Sequence, residues 1–200
     1  MGKRVIDWLF TLQSKWGILG EKERRLYIYA YSLFLNKIAI YTIIAMIGTI
    51  TGNWIEMLSF LLPFTILRQY AGGIHLEKSV SCIIFSGFLI FGCTQYLANM
   101  SGIGIIFVVV WITSVIVASA LMPVETEHKR LDETAKKVFG KYSRRILIVE
   151  MMLGICFWII EISMITKGIA MAHIILTIGL VAGKVKFFKY ELDETNREGK

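Results

Sequence analysis

The chain has 200 residues, 56% of them hydrophobic and only 18% charged, with a mean hydropathy of +0.62. A soluble domain is usually about 45–50% apolar and about 25% charged, so the composition argues against an ordinary soluble globule and for a single integral membrane domain. The formal net charge is +7; in a membrane protein that excess reports orientation and lipid contact rather than nucleic-acid binding.

Residues 1–25 carry scattered charges and no small-residue cleavage site, so they are not expected to be a signal peptide. Val5, Leu9, Leu12, Trp16 and Leu19 recur at steps of four and three, which puts them on one helical face. That pattern predicts an amphipathic helix on the membrane surface, with docking onto a soluble partner as the alternative. Six apolar segments follow, at about 26–50, 55–70, 80–98, 103–122, 146–165 and 168–183. The second contains Pro63 and Arg68 and the sixth is short and contains His173, so either could be tilted or re-entrant. The expectation is an all-α polytopic membrane protein of about six transmembrane or re-entrant helices. A single membrane domain would span 26–183, between the amphipathic segment 1–25 and a basic tail at 184–200.

Residues 1–25, 68–79, 123–145 and 184–200 together hold 20 of the 22 Lys and Arg. The positive-inside rule puts these regions, and both termini, in the cytoplasm. Pro123 should stop the fourth helix, and Leu131 to Phe139 could form a short surface helix. The basic stretch 123–145 reads plainly as a solvated connection; its functional reading is contact with anionic lipid headgroups or an acidic peptide.

The three cysteines, Cys82, Cys93 and Cys156, form no CxxC pair, so neither a disulfide framework nor a metal site is expected, and no cofactor is implied. Cys93 and Cys156 read as packing residues. Cys82 closes the stretch RQYAGGIHLEKSVSC, residues 68–82, which is hard to explain as packing. Ala71-Gly72-Gly73 should interrupt the second helix, with Gly73 at φ > 0. Ser79 is a plausible N-cap, which puts Cys82 in the first turn of the next helix, at the positive end of its dipole, with Lys78 nearby. A thiol there, with His75 to take its proton, has the parts of a nucleophile. On one continuous helix His75 and Cys82 would lie about 10.5 Å apart along the axis, so the pair needs a chain reversal at the glycines. Arg68 could neutralise a peptide carboxylate or hold the loop, and Glu77 could orient His75 or pair with Lys78. A satisfied interfacial His is the plain alternative. Glu150 and Glu161, eleven residues apart on one helical face, are candidates by virtue of being intramembrane carboxylates, although both could reach headgroups. His173 is either a hydrogen-bonded structural residue or a proton relay.

Arg68, Gly72-Gly73, His75 and Cys82 seven residues later, together with the Pro123–Lys129 start of the basic loop, resemble the accessory gene regulator protein B (AgrB) family over about residues 20–185. The resemblance implies a cysteine endopeptidase of peptide quorum sensing in the cell membrane of a Gram-positive-type bacterium, with its active site near the cytoplasmic face. The catalytic pair carries over to His75 and Cys82 and the support to Arg68, Gly72, Gly73 and Ser79, with no third triad member identifiable. Lys78, Lys129, Arg130 and Glu150 are candidate substrate contacts. The implied substrate is a small amphipathic propeptide with an internal Cys or Ser and an acidic C-terminal tail, which the basic face would suit. The enzyme would remove the tail through an acyl-enzyme thioester, and the internal side chain would then close a thiolactone or lactone. The lipid bilayer is the other implied partner; a homodimer is compatible, and no metal, nucleotide or nucleic acid is implied. A small membrane transporter using Glu150, Glu161 and His173, or a non-catalytic membrane scaffold, are the rival readings.

Overall fold

A computed structural model describes residues 2–16, 24–73, 79–125 and 132–198. Over these residues the protein is all-α: α1 (Gly2–Lys15), α2 (Arg24–Thr51), α3 (Trp54–Ala71), α4 (Ser79–Asn99), α5 (Ile105–Leu121), α6 (Glu133–Ile159) and α7 (Ser163–Glu198). Three of them, over Arg24–Thr51, Val80–Asn99 and Ser163–Tyr190, are long and apolar enough to cross a membrane; α5 is apolar but shorter. This is a membrane protein with several apolar membrane-spanning helices.

The amphipathic start of the chain is helical, but its buried face differs from the expected one. Ile6 and Phe10 are buried, while Trp8 and Trp16 are exposed. The reason is that α1 packs on α2. The Tyr31 hydroxyl donates to Gln13 Oε1, the Arg24 guanidinium lies 5.6 Å from the Phe10 ring centroid, and Arg24 approaches Asp7 at 3.6 Å. α2 in turn is apolar all round and buries only Gly48, so Leu33, Phe34, Tyr41, Met46 and Ile50 face outward, as a lipid-exposed helix requires.

Pro63 sits buried inside α3 without ending it. Within a membrane bundle, neighbouring helices tolerate the one backbone bond that proline removes. α6 also runs further than expected: Asp132 caps it by accepting from Ala135 N at 2.8 Å, and nothing stops it at Phe139. It ends at Ile160, where Glu161 takes φ 63° and Ile162 N–H reaches back to Phe157 O at 2.9 Å, a Schellman closure. Glu161 is therefore an exposed turn residue, not a partner of Glu150 on one helix. Residues 166–167, between the fifth and sixth expected segments, lie within α7; Lys167 is 8% exposed and donates to Met100 O at 2.7 Å.

The core is organised around α7, which packs against α3, α4, α5 and α6. Small residues let it approach closely. A Cβ at Gly168 would collide with the side chain and backbone of Ser59, so α3 and α7 meet almost backbone to backbone there. One apolar cluster (Leu67, Ala118, Met122, Val124, Leu147, Leu176, Leu180) lies at the end of the bundle that carries the glycine pair. A second (Met57, Phe60, Ile90, Cys93, Leu97, Met171) fills the other end.

Candidate functional site

α3 ends at the tandem glycine. Gly72 has φ 81° and Gly73 φ 124°, values that side-chain-bearing residues rarely adopt. Gly72 N–H still bonds Arg68 O at 3.3 Å, and the chain then leaves the helix. Gly72 also forms a single parallel bridge with Val124, whose N–H donates to Ala71 O at 2.9 Å. A Cβ on Gly72 would land on the Val124 carbonyl oxygen, so both conformation and close approach demand glycine. The Met122–Val124 run is fixed in its turn by Arg144 of α6, which donates to Ser119 O at 3.2 Å and Met122 O at 3.4 Å. The start of the basic connection is thus clamped onto the glycine turn.

Beside that turn lies a cavity of about 280 Å³, lined by Phe64 and Arg68 from α3, by Gly72 and Gly73, by Cys82, Phe85 and Leu89 from α4, and by Ile175, Leu176 and Gly179 from α7. Cys82 is a free thiol in the first turn of α4, partly buried. The first turn of a helix holds backbone N–H groups with no intrahelical partner, and its dipole favours negative charge. The Arg68 guanidinium sits over the Phe64 ring, 5.5 Å from its centroid, and lines the same cavity as Cys82. Arg68, Gly72, Gly73 and Cys82 are therefore brought together. Ser79 is the first residue of α4. His75, Glu77, Lys78, Lys129 and Arg130 lie outside the described residues. Among the described residues, no three His, Cys, Asp or Glu side chains converge as metal ligands.

Glu150 is elsewhere. It is 93% buried in the bundle, and His173, fully buried on α7, stands between it and Trp111 of α5. Trp111 Nε1–H donates to His173 Nδ1 at 2.9 Å. An indole nitrogen can only donate, so Nδ1 is the acceptor and the imidazole hydrogen is on Nε2, 3.1 Å from Glu150 Oε2. His173 is thus a neutral structural link with both nitrogens occupied. Thr177 Oγ1 extends the chain to the carbonyls of Ser114 and His173, at 3.0 and 2.7 Å. The other carboxylate oxygen, Glu150 Oε1, is buried without a hydrogen-bond partner among the described residues. Of the remaining cysteines, Cys93 packs in the core as expected, but Cys156 does not: it is exposed on the outer face of α6.

Sequence reasoning missed Trp111, Val124 and Gly179. The first partners His173, the second clamps the glycine turn, and the third closes the cavity over Gly73 at 3.7 Å from a Cβ placed there. Trp111, a polar-tipped side chain inside an apolar run, was the one available signal.

The family model for accessory gene regulator B matches residues 6–180. An AgrB-like protein of Clostridium perfringens (strain SM101 / Type A) is 30% identical over 134 residues, and AgrB-like protein 2 of Clostridium perfringens (strain 13 / Type A) is 30% identical over 133 residues. In both cases the match spans 62% of this chain and 62% of the relative's length. No solved structure matches the chain.

Proposed function

The chain belongs to the accessory gene regulator B (AgrB) family, and on that premise we propose that it is a membrane cysteine endopeptidase that removes the C-terminal tail of a small autoinducing-peptide precursor and promotes its cyclisation. One observation supports this reading above the others: a free cysteine in the first turn of a helix shares an apolar cavity with an arginine and a glycine turn at one end of the bundle.

In the proposed reaction His75 takes the proton of Cys82, and the thiolate attacks the carbonyl carbon before the acidic tail. Charge on the tetrahedral oxyanion is met by Arg68 and by the N–H groups opening α4, which have no intrahelical partner. Collapse breaks the peptide bond, and the tail's new amine leaves with the proton returned by His75. The apolar side chain of the acyl residue rests among Phe64, Phe85 and Leu89, which also keep water from the thioester. An internal Cys or Ser of the precursor then attacks the thioester, its proton passes to His75, and Cys82 departs as thiolate. Exchange of one thioester for another is nearly isoenergetic, so dryness decides between ring closure and hydrolysis. Orientation with this end of the bundle in the cytoplasm follows from the Lys and Arg distribution.

The experiment is co-expression of the chain with a candidate precursor gene, followed by mass analysis of the products. Release of the tail together with a mass corresponding to ring closure is the expected result. An intact precursor in the presence of well-inserted protein would sink the proposal for that substrate class.

A further inference from the structure

A second concavity opens on the same end of the bundle, outside the Cys82 cavity. It is a groove of about 820 Å³ between residues 120–125, the first turns of α6 and Lys184–Phe188 of α7. Two of its cations are already engaged: Lys136 meets Glu125 at 3.4 Å, and Arg144 holds the carbonyls that end α5. Lys137, Lys141, Arg145 and Lys184 also line the groove, are exposed, and form no ion pair among the described residues. Beside them stand Ile148 and Phe188, 57% and 61% exposed. The apolar strip continues along α6 through the exposed Val149 and Met152.

Set against the one further carboxylate of the groove among the described residues, the exposed Glu133, these four cations leave a positive excess that calls for an anion, and the adjoining strip decides which kind. An acidic peptide needs the charges but not an outward-facing apolar track leading from them into the membrane. A lipid needs both: cations at the depth of the headgroup and an apolar wall below it for the acyl chain. We infer that this groove binds the phosphate headgroup of an anionic phospholipid from the leaflet at this end of the bundle, with an acyl chain lying along Ile148–Met152. The bound lipid would join α6, α7 and the Met122–Val124 run, the same run that clamps Gly72. It would therefore stabilise the turn beside Cys82 without entering that cavity. This inference stands on the groove alone and holds whatever chemistry Cys82 performs.

The test uses the full chain in nanodiscs of equal parts phosphatidylglycerol and phosphatidylcholine, released into mild detergent for native mass spectrometry. The wild-type protein should retain phosphatidylglycerol over phosphatidylcholine. At about 1 kcal/mol per cation near a headgroup, the variant Lys137→Gln/Lys141→Gln/Lys184→Gln should lose that preference by about tenfold or more, and the triple Lys→Arg variant should keep it. Phe188→Ser should shorten retention while leaving the headgroup preference in place. The substituted lysines are exposed, and size-exclusion elution checks that the variants stay folded. Equal retention of both lipids by the wild type, or an unchanged preference in the Lys→Gln variant, would overturn the inference. So would lysine-dependent binding of a soluble oligoglutamate peptide in the absence of any lipid preference, which would assign the groove to an acidic chain instead.

Discussion

Cys82 and His173 are both reactive side chains on apolar helices of one bundle, yet their surroundings are opposite. His173 is completely buried, with each ring nitrogen occupied, by Trp111 on one side and Glu150 on the other. Cys82 is partly buried at a helix start and faces a cavity that also holds a guanidinium. In the first arrangement both imidazole nitrogens are taken by side chains of α5 and α6, and that fixes how α5, α6 and α7 meet. In the second the free thiol lines a cavity that a ligand can fill. In a membrane protein an ionisable residue is a functional candidate by default, and the comparison ranks the candidates: an imidazole with both nitrogens partnered fits a structural role, and a free thiol lining a cavity is the one proposed to react. It also weakens the transporter reading. Glu150 and His173 do converge, but His173 has no ring nitrogen left for a passing ion or proton, and Glu161 is exposed in a turn away from them.

The comparison can be broken from either side. The largest effect should come from Cys82→Ala, which lowers precursor cleavage by about ten-thousand-fold or more, the scale seen when a covalent nucleophile is removed. Cys93→Ala and Cys156→Ala should stay within about twofold of wild type, since neither lines the cavity. Quantifying tail release by mass spectrometry across the three variants separates them.

Next is Gly72→Val. Its side chain would need φ 81° and would collide with the Val124 carbonyl. The strain, about 1–3 kcal/mol, should unclamp the turn and reduce cleavage strongly while the protein still inserts. The rate at which Cys82 is alkylated should change with it; an unaltered rate alongside full cleavage would mean the turn does not shape the site.

His173→Phe should show the reverse behaviour. It leaves the Trp111 indole and the Glu150 carboxyl without their partner, costing about 2–4 kcal/mol. The thermal midpoint in detergent should fall by several degrees, while cleavage per folded molecule is preserved. Loss of cleavage without loss of stability would erase the distinction between the two regions. The smallest effect should be Glu150→Gln, whose amide oxygen can still accept from His173 Nε2–H, with a change in stability of less than about 1 kcal/mol.

Much of this was legible in the sequence because it follows from periodicity and glycine chemistry. Apolar runs of helical length located the helices from Arg24 to Thr51 and from Ser79 to Asn99 within a few residues. The Gly72-Gly73 pair announced both the end of α3 and its positive φ, since few other residues could serve there. What stayed hidden depended on partners distant in the chain. Nothing local links Gly72 to Val124 or His173 to Trp111, because those contacts arise only when α5 and α7 are laid against their neighbours. The face of α1 was misjudged for the same reason: the pattern of Val5, Leu9, Leu12 and Trp16 is compatible with a lipid surface, but α2 took the Ile6–Phe10 side. Length misled at α6 and α7, where polar composition suggested connections and Gly140 and Gly183 sit beside Phe139 and Lys184, yet both helices run on through those glycines.

The proposal that Cys82 is the nucleophile is tested most directly by trapping its acyl-enzyme. A precursor whose ring-forming Cys or Ser is changed to Ala cannot discharge the thioester by cyclisation. Co-expressed with the wild-type chain, it should leave an adduct with the mass of the tail-less peptide, labile to hydroxylamine and mapped by fragmentation to Cys82. Tail release with the adduct on Cys93, on Cys156 or on no cysteine would contradict the account.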